Sequence, residues 1–197
     1  MNKKIAIILP SYNEQLTIEK TILDFNQHCC DASVYVIDNN SSDDTKRIAN
    51  LVIKENNITG EVIFVKRQGK ANAMKTAFSR INADIYVMAD ADHTYFGQDL
   101  GKLLSPVLSG EYDLVVGNRF TDSGYEKENK RLFHNFGNNL VRKIINLLFN
   151  SDLKDIMSGY RVLSRNFVKN YPVMCEGFEL ETEMTLHCLD KKFNIIE

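Results

Sequence analysis

Asp90-Ala91-Asp92 is the segment of this chain whose residue types and spacing speak most directly of chemistry. Two carboxylates one residue apart, directly after the apolar run 85–89, present hard oxygen ligands to Mg2+ or Mn2+, whose remaining positions take water and phosphate oxygens. Such an ion neutralises charge developing on a diphosphate leaving group. An isolated Asp-x-Asp is more often a turn or a helix cap; four other polar loops reverse that reading. Apolar runs at 5–9, 34–37, 62–65 and 114–116 are followed by Pro10-Ser11-Tyr12-Asn13-Glu14, by Asp38-Asn39-Asn40-Ser41-Ser42-Asp43-Asp44-Thr45, by Arg67-Gln68-Gly69-Lys70-Ala71-Asn72-Ala73 and by Gly117-Asn118-Arg119. Asp38 suits hydrogen bonds from a base or ribose, or a turn. Gly69 permits close backbone passage and Lys70 supplies charge for a diphosphate, although the spacing is not that of a Walker A loop. The four histidines, His28, His93, His134 and His187, are scattered, and only His93 touches the acidic pair, by adjacency.

Those loops need elements to hold them. The five apolar runs, 5–9, 34–37, 62–65, 85–89 and 114–116, are short, β-branched and nearly continuous, as expected of strands buried on both faces of a parallel sheet. Helical spacing fills 14–29, 43–56, 70–81 and 99–109, with Asn13 and Ser42 as expected N-caps. Alternation of this kind predicts right-handed βαβ units in an α/β layer fold, and a parallel sheet binds its ligands beyond the carboxyl ends of its strands. A longer helix is predicted over 128–150, a short strand over 160–163, a helix over 180–190 and a last strand over 193–196. The long helix carries Leu132, Phe133, Phe136, Leu140, Ile144 and Leu148 near one side and Lys130, Arg131, Arg142 and Lys143 around it. Spacing favours a core-packed helix with a charged outer face; a membrane-surface helix that admits a lipid is the alternative.

Composition bounds the rest. With 197 residues, 44% hydrophobic and 25% charged, the chain is expected to form one domain, 1–197, with a full core. Twenty-four basic against 26 acidic residues, net −2, exclude the positive field of a general nucleic-acid binder. Four cysteines without a CxxC spacing read as free thiols in a reducing compartment. The first apolar run stops at Pro10, too short for a signal peptide, and no stretch suits a transmembrane helix. A cytoplasmic location is expected. The final run breaks off at Glu197 as a strand would be ending, which suggests a natural chain that continues.

The segments Leu9-Pro10-Ser11-Tyr12-Asn13-Glu14, Val36 to Thr45, Gly69-Lys70-Ala71-Asn72-Ala73, Asp90-Ala91-Asp92, Gly117-Asn118-Arg119 and Ser158-Gly159-Tyr160-Arg161 together resemble family 2 glycosyltransferases with a GT-A fold. They are most similar to the dolichol-phosphate mannosyltransferase-like, polyprenyl-phosphate branch. The resemblance implies a Rossmann-like three-layer sandwich around a mostly parallel sheet. It implies a nucleoside pocket lined by Pro10, Tyr12, Glu14, Asp38 and Asn40, with Lys70 and Ala91 beside the sugar nucleotide and Asp90 and Asp92 holding Mg2+ or Mn2+. The position that joins the metal in some relatives is Thr94 here, a weaker ligand. Arg119, Arg131 and Arg161 are the implied grips for an acceptor phosphate, since guanidinium forks suit phosphate oxygens.

The resemblance further implies inverting transfer from a UDP- or GDP-linked sugar to a polyprenyl phosphate, at the cytoplasmic face of a membrane. A phosphate acceptor is anionic near neutral pH and needs positioning more than a base. The rival acceptor is a sugar hydroxyl, which needs a general base; Asp155 is the candidate, ahead of Glu181 and Glu183, which are expected on a solvated helix face. A module that binds nucleotide sugar without turnover is the alternative outside enzymes.

Overall fold

The computed structural model describes residues 3–118 and 132–197, with side chains from residue 139 onward in the second segment. Arg119 and Arg131 lie outside the described residues. The elements are β1 (Ile5–Ser11), α1 (Ile18–His28), β2 (Ser33–Asp38), α2 (Thr45–Glu55), β3 (Gly60–Phe64), α3 (Lys70–Arg80), β4 (Ile85–Met88), α4 (Leu100–Leu108), β5 (Leu114–Val116), α5 (Leu132–Phe149), β6 (Arg161–Ser164), α6 (Arg165–Asn170), α7 (Leu180–Asp190) and β7 (Ile195–Ile196).

These strands form one sheet in the order β3-β2-β1-β4-β6-β5-β7. All pairs are parallel except those of β6, which runs antiparallel to β4 and β5. Alternation along β1 sends Ala6 and Ile8 to one face and Ile7 and Leu9 to the other. Residues of α3, α6 and α7 cover the first face, and those of α1, α2 and α4 the second. The result is the α/β three-layer sandwich around a mostly parallel sheet. Chain order reverses direction across the sheet between β1 and β4, the switch point beyond which such folds bind ligands.

Several elements differ from expectation for local reasons. β1 runs on through Pro10 to Ser11 because β2 accompanies it that far, whereas β4 stops opposite Ile8. Pro10 thus has a ladder partner on one side only, where a missing N–H is tolerated. α1 starts at Ile18 after a turn in which Glu14 O accepts from Thr17 and Ile18 N–H. α2 starts at Thr45. Neither Asn13 nor Ser42 caps a helix: Asn13 sits at φ +57° and its Oδ1 accepts from Ser42 N–H at 2.8 Å. α5 packs through Ile145 onto Leu153 and Ile156, which leaves Leu140, Ile144 and Leu148 exposed. For Leu140, Ile144 and Leu148 the core-packed reading is therefore corrected; Leu132, Phe133 and Phe136 lie outside the described side chains.

Candidate functional site: a cleft at the carboxyl edge of the sheet

Beyond β1 and β4 opens a cavity of about 550 Å³. Its walls come from the β1 loop (Pro10, Tyr12, Glu14), the loop into α3 (Gly69, Lys70), the β4 loop (Asp90, Ala91, Asp92) and the start of α7 (Phe178, Glu181). Nonlocal hydrogen bonds fix these loops to one another. Asn13 N–H donates to Ser41 Oγ at 3.1 Å, Glu14 N–H to Thr45 Oγ1 at 2.7 Å and Gln15 N–H to Asp43 Oδ2 at 3.1 Å. The buried Asn39 donates to Arg67 O at 2.7 Å and accepts from Gly69 N–H at 2.7 Å, which places Lys70 at the head of α3. Gly69 is at φ +121°, and a Cβ there would run into the backbone of Glu176; a side chain is excluded on both counts.

The ends of β4 and α7 set the electrostatics. Lys70 Nζ bridges Asp90 Oδ1 and Glu181 Oε1, the latter at 2.6 Å. Asp92 Oδ1 accepts from Thr94 N–H at 3.0 Å and Thr94 Oγ1 at 2.7 Å, a turn that requires φ +61° at His93, an uncommon conformation for histidine. From below, Tyr95 Oη accepts from Gly159 N–H at 2.9 Å, and Gly159 backs directly onto Asp90: any Cβ would overlap its carboxylate. Burial raises the Glu14 carboxyl above its ordinary value; Asp92, Asp90 and Asp43 push it the same way, against a hydrogen bond from Thr17. This cavity is crowded with negative charge and suits a cation. Among the described residues no third His, Cys, Asp or Glu completes a metal cluster with the pair. Two carboxylates fit an ion that draws its other ligands from water and phosphate, once Lys70 yields Asp90. A second cavity, about 910 Å³, opens on the far side of Asp90, Asp92 and Tyr95 and includes Asn118, Lys154 and Glu197.

With this geometry in place, comparison with known proteins decides the family. The family model described as "Glycosyl transferase family 2" matches residues 6–171. The chain belongs to glycosyl transferase family 2. "Glycosyltransferase AglJ" of Haloferax volcanii is 32% identical over 185 residues, covering 93% of this chain and 58% of that protein. The "UDP-N-acetylglucosamine--dolichyl-phosphate N-acetylglucosaminyltransferase" of Methanococcus voltae is 27% identical over 213 residues, 100% of this chain and 84% of that one. Among solved structures, glucosyl-3-phosphoglycerate synthase from Mycobacterium tuberculosis, in complex with Mn2+, UDP and phosphoglyceric acid, superposes with a TM-score of 0.76 at 22% identity, covering 98% of this chain and 67% of that one. This likeness shows the GT-A fold. The chain spans little more than half the length of the Haloferax relative.

In this family 2 chain, Pro10, Tyr12, Glu14, Lys70, Asp90, Ala91 and Asp92 line one cavity. Asp38 and Asn40 do not line it. Asp38 is buried at the end of β2, with Oδ1 accepting from Ser41 N–H at 3.4 Å, and Asn40 sits exposed at φ +61°. Asp155 is buried before β6, outside both cavities. Arg161 departs furthest from its expected role. Its guanidinium is fully buried and donates to Ser158 O at 2.8 Å, Ile156 O at 2.6 Å and Thr185 Oγ1 at 3.0 Å. Burial pushes it below its ordinary pKa, opposed by the Glu181 and Asp155 carboxylates.

Glu181 and Glu183 are not on a solvated face. Glu181 is buried in the cavity wall. Glu183 accepts from Tyr171 Oη at 2.6 Å, Met174 N–H at 3.0 Å and Cys175 N–H at 2.8 Å; burial pushes its carboxyl up, and these bonds outweigh it and hold it below the ordinary value. The signal for Glu181 was present: it lies three, four and seven residues before Met184, Thr185 and Cys188, all buried on one stripe of α7. A charge on a core-facing stripe needs a partner.

Proposed function

We propose that this protein is an inverting, metal-assisted glycosyltransferase that moves a sugar from a nucleotide-diphosphate donor to a polyprenyl phosphate. The observation that carries the reading is the pair of cavities that share Asp90, Asp92 and Tyr95. The first, with Tyr12, Gly69 and Lys70, has the form of a nucleotide site: an aromatic ring for a base and a glycine-lysine pair for phosphates. The second opens on the other side of the carboxylates, where an acceptor would approach. A divalent ion on Asp90 and Asp92 supplies charge neutralisation for the departing diphosphate. Glu14 and Glu181 hold the remaining charge of the wall, and Tyr95 with Gly159 holds Asp90 in position. The acceptor oxygen bonds to the anomeric carbon from the face opposite the diphosphate, whose oxygen takes the electron pair of the broken bond; a phosphate oxygen loses no proton in doing so. Support for a UDP donor and Mn2+ comes from the complex of the Mycobacterium tuberculosis enzyme, and support for a lipid phosphate from the Methanococcus voltae relative, named for transfer to dolichyl phosphate. A hydroxyl acceptor is the second reading, favoured by one feature: Asp99 lines the second cavity, where an acceptor would approach, as a carboxylate able to serve as base. The test incubates the protein with UDP- and GDP-linked radiolabelled sugars, Mn2+, and one acceptor at a time: undecaprenyl phosphate or undecaprenol in detergent, or a free sugar. Label is expected in the lipid phosphate only and not with EDTA. Label in neither lipid, with transfer to a free sugar, sinks the lipid reading.

The lipid reading places the protein at the cytoplasmic face of a membrane. No helix among the described residues is long and apolar enough to cross one. Support for a peripheral contact is the exposed stripe of α5, where Leu147 and Leu148 are 84% and 71% exposed and Lys143 stands beside them. Insertion of two leucines is worth roughly 3 kcal/mol. Leu147→Asp with Leu148→Asp is therefore expected to weaken co-sedimentation with phosphatidylglycerol vesicles at least tenfold; undiminished sedimentation removes α5 from the contact.

A further inference from the structure

Among the described residues that line the nucleotide-side cavity, Glu14, Asp90, Asp92 and Glu181 are acidic and Lys70 alone is basic. Lys70 is not waiting there for a ligand. Its side chain is only 10% exposed, and its ammonium is shared between Asp90 Oδ1 and Glu181 Oε1. The Asn39–Gly69 hydrogen bond and the glycine's left-handed backbone aim it at that pair from the first residue of α3. The oxygen it takes belongs to the same carboxylate that the proposed metal needs. An ammonium and a dication on one carboxylate oxygen repel strongly at the separations involved, so the two compete.

We propose that Lys70 is a built-in counter-ion that holds the place of the metal on Asp90 and is displaced from it when the divalent ion binds. The inference rests on the reading of Asp90 and Asp92 as the metal pair. Glu181 keeps the displaced ammonium tethered in the cavity, within the same wall, where it turns from neutralising a carboxylate to meeting a diphosphate. Two consequences follow from the charges. Metal alone binds weakly, because it must break a buried ion pair. Nucleotide alone binds weakly, because it meets a net negative wall whose one cation is already engaged. Together each removes the other's obstacle, and the coupling is reciprocal.

The test is Mn2+ affinity without nucleotide, read from free Mn2+ by electron paramagnetic resonance, beside UDP and GDP affinity at saturating Mn2+. Lys70→Met is expected to tighten Mn2+ binding at least fivefold and to weaken nucleotide binding at least fivefold, two effects of opposite sign. A lysine that serves only the diphosphate leaves Mn2+ affinity unchanged, and a lysine that serves only the fold lowers both affinities; either result overturns the proposal. Lys102→Met, the same loss of charge at an exposed residue paired with Asp99 in the neighbouring cavity, is expected to change Mn2+ affinity less than twofold; an equal effect means a diffuse field rather than competition, and overturns it too. Adding Asp92→Asn to Lys70→Met separates this inference from the one beneath it. Loss of the gained Mn2+ affinity upholds the metal pair, and its retention overturns pair and counter-ion together. Should Lys70→Met not fold, unaltered protein carries the test. Acylation of Lys70 by an amine reagent, followed by peptide mass mapping, is expected to rise at least threefold with saturating Mn2+ and to fall again when nucleotide is added. No rise overturns the displacement.

Discussion

Asp92→Ala is expected to lower sugar transfer roughly a thousandfold, the loss of several kcal/mol of charge stabilisation on a departing diphosphate, while leaving the fold intact. The two halves of that expectation have separate grounds. Asp92 is exposed and its hydrogen bonds run to Thr94, two residues on, so its removal costs the fold about 1 kcal/mol. Its position is where the two cavities meet, so its removal acts on whatever crosses between them. Calorimetric titration of UDP and GDP with Mn2+ and then EDTA checks the assignment without turnover. The unaltered protein should bind one nucleotide more tightly with metal, and Asp92→Ala should bind with the same low affinity in either condition. A metal effect of full size in the variant would remove Asp92 from the metal site. Asp90→Ala is a poorer probe, because it strips Lys70 of one of its two carboxylate partners and mixes folding with function.

How far the sequence foretold this site follows from which of its forces are local. The strand runs were legible because burial on both faces writes continuous apolar character, as in Ile5–Ser11 with its buried Ala6, Ile7, Ile8 and Leu9. Once those strands are parallel, a carboxyl edge exists, and Asp90, Asp92, Glu14 and Lys70 fall along it by chain order alone. The antiparallel direction of β6 was not legible: four apolar-flanked residues carry no sign of which way they run. Nor were the loop braces. Asn13 reads as a cap because an asparagine before a helical segment usually is one; its actual partners, Ser41 and Ser42, come from another strand's loop. Asn39, between Asp38 and Asn40, carries no local signal for the same reason, since its work is to hold one distant loop at positions 28 and 30 residues away. Where a side chain's partner is distant in sequence, residue type alone suggests the local role.

Arg161 is the case with the largest structural consequence, and its substitution should show a buried brace in place of a phosphate grip. Arginine is seldom fully buried, so sequence reasoning sends it to a ligand; here it is among the largest side chains with no exposure at all. Its three donors tie the loop before β6, through Ser158 O and Ile156 O, to α7, through Thr185 Oγ1. That loop carries Gly159 against Asp90, and α7 carries Glu181 beside Lys70, so one guanidinium braces both flanks of the acidic site. Arg161→Met leaves two carbonyls unmet in the interior, Thr185 Oγ1 keeping its own bond to Glu181 O, and the neighbouring carboxylates short of a counter-charge, a loss of about 3–5 kcal/mol. Arg161→Lys keeps the charge but not the fork, and one ammonium cannot span donors that point to three acceptors; it is expected to recover less than half of that loss. The measurement is urea unfolding of both variants beside kinetics on whatever fraction folds. A brace predicts a lower midpoint, a reduced kcat, and KM values for donor and acceptor that move together. A phosphate grip predicts an unchanged midpoint and a rise in acceptor KM alone, and that outcome would return Arg161 to the acceptor site.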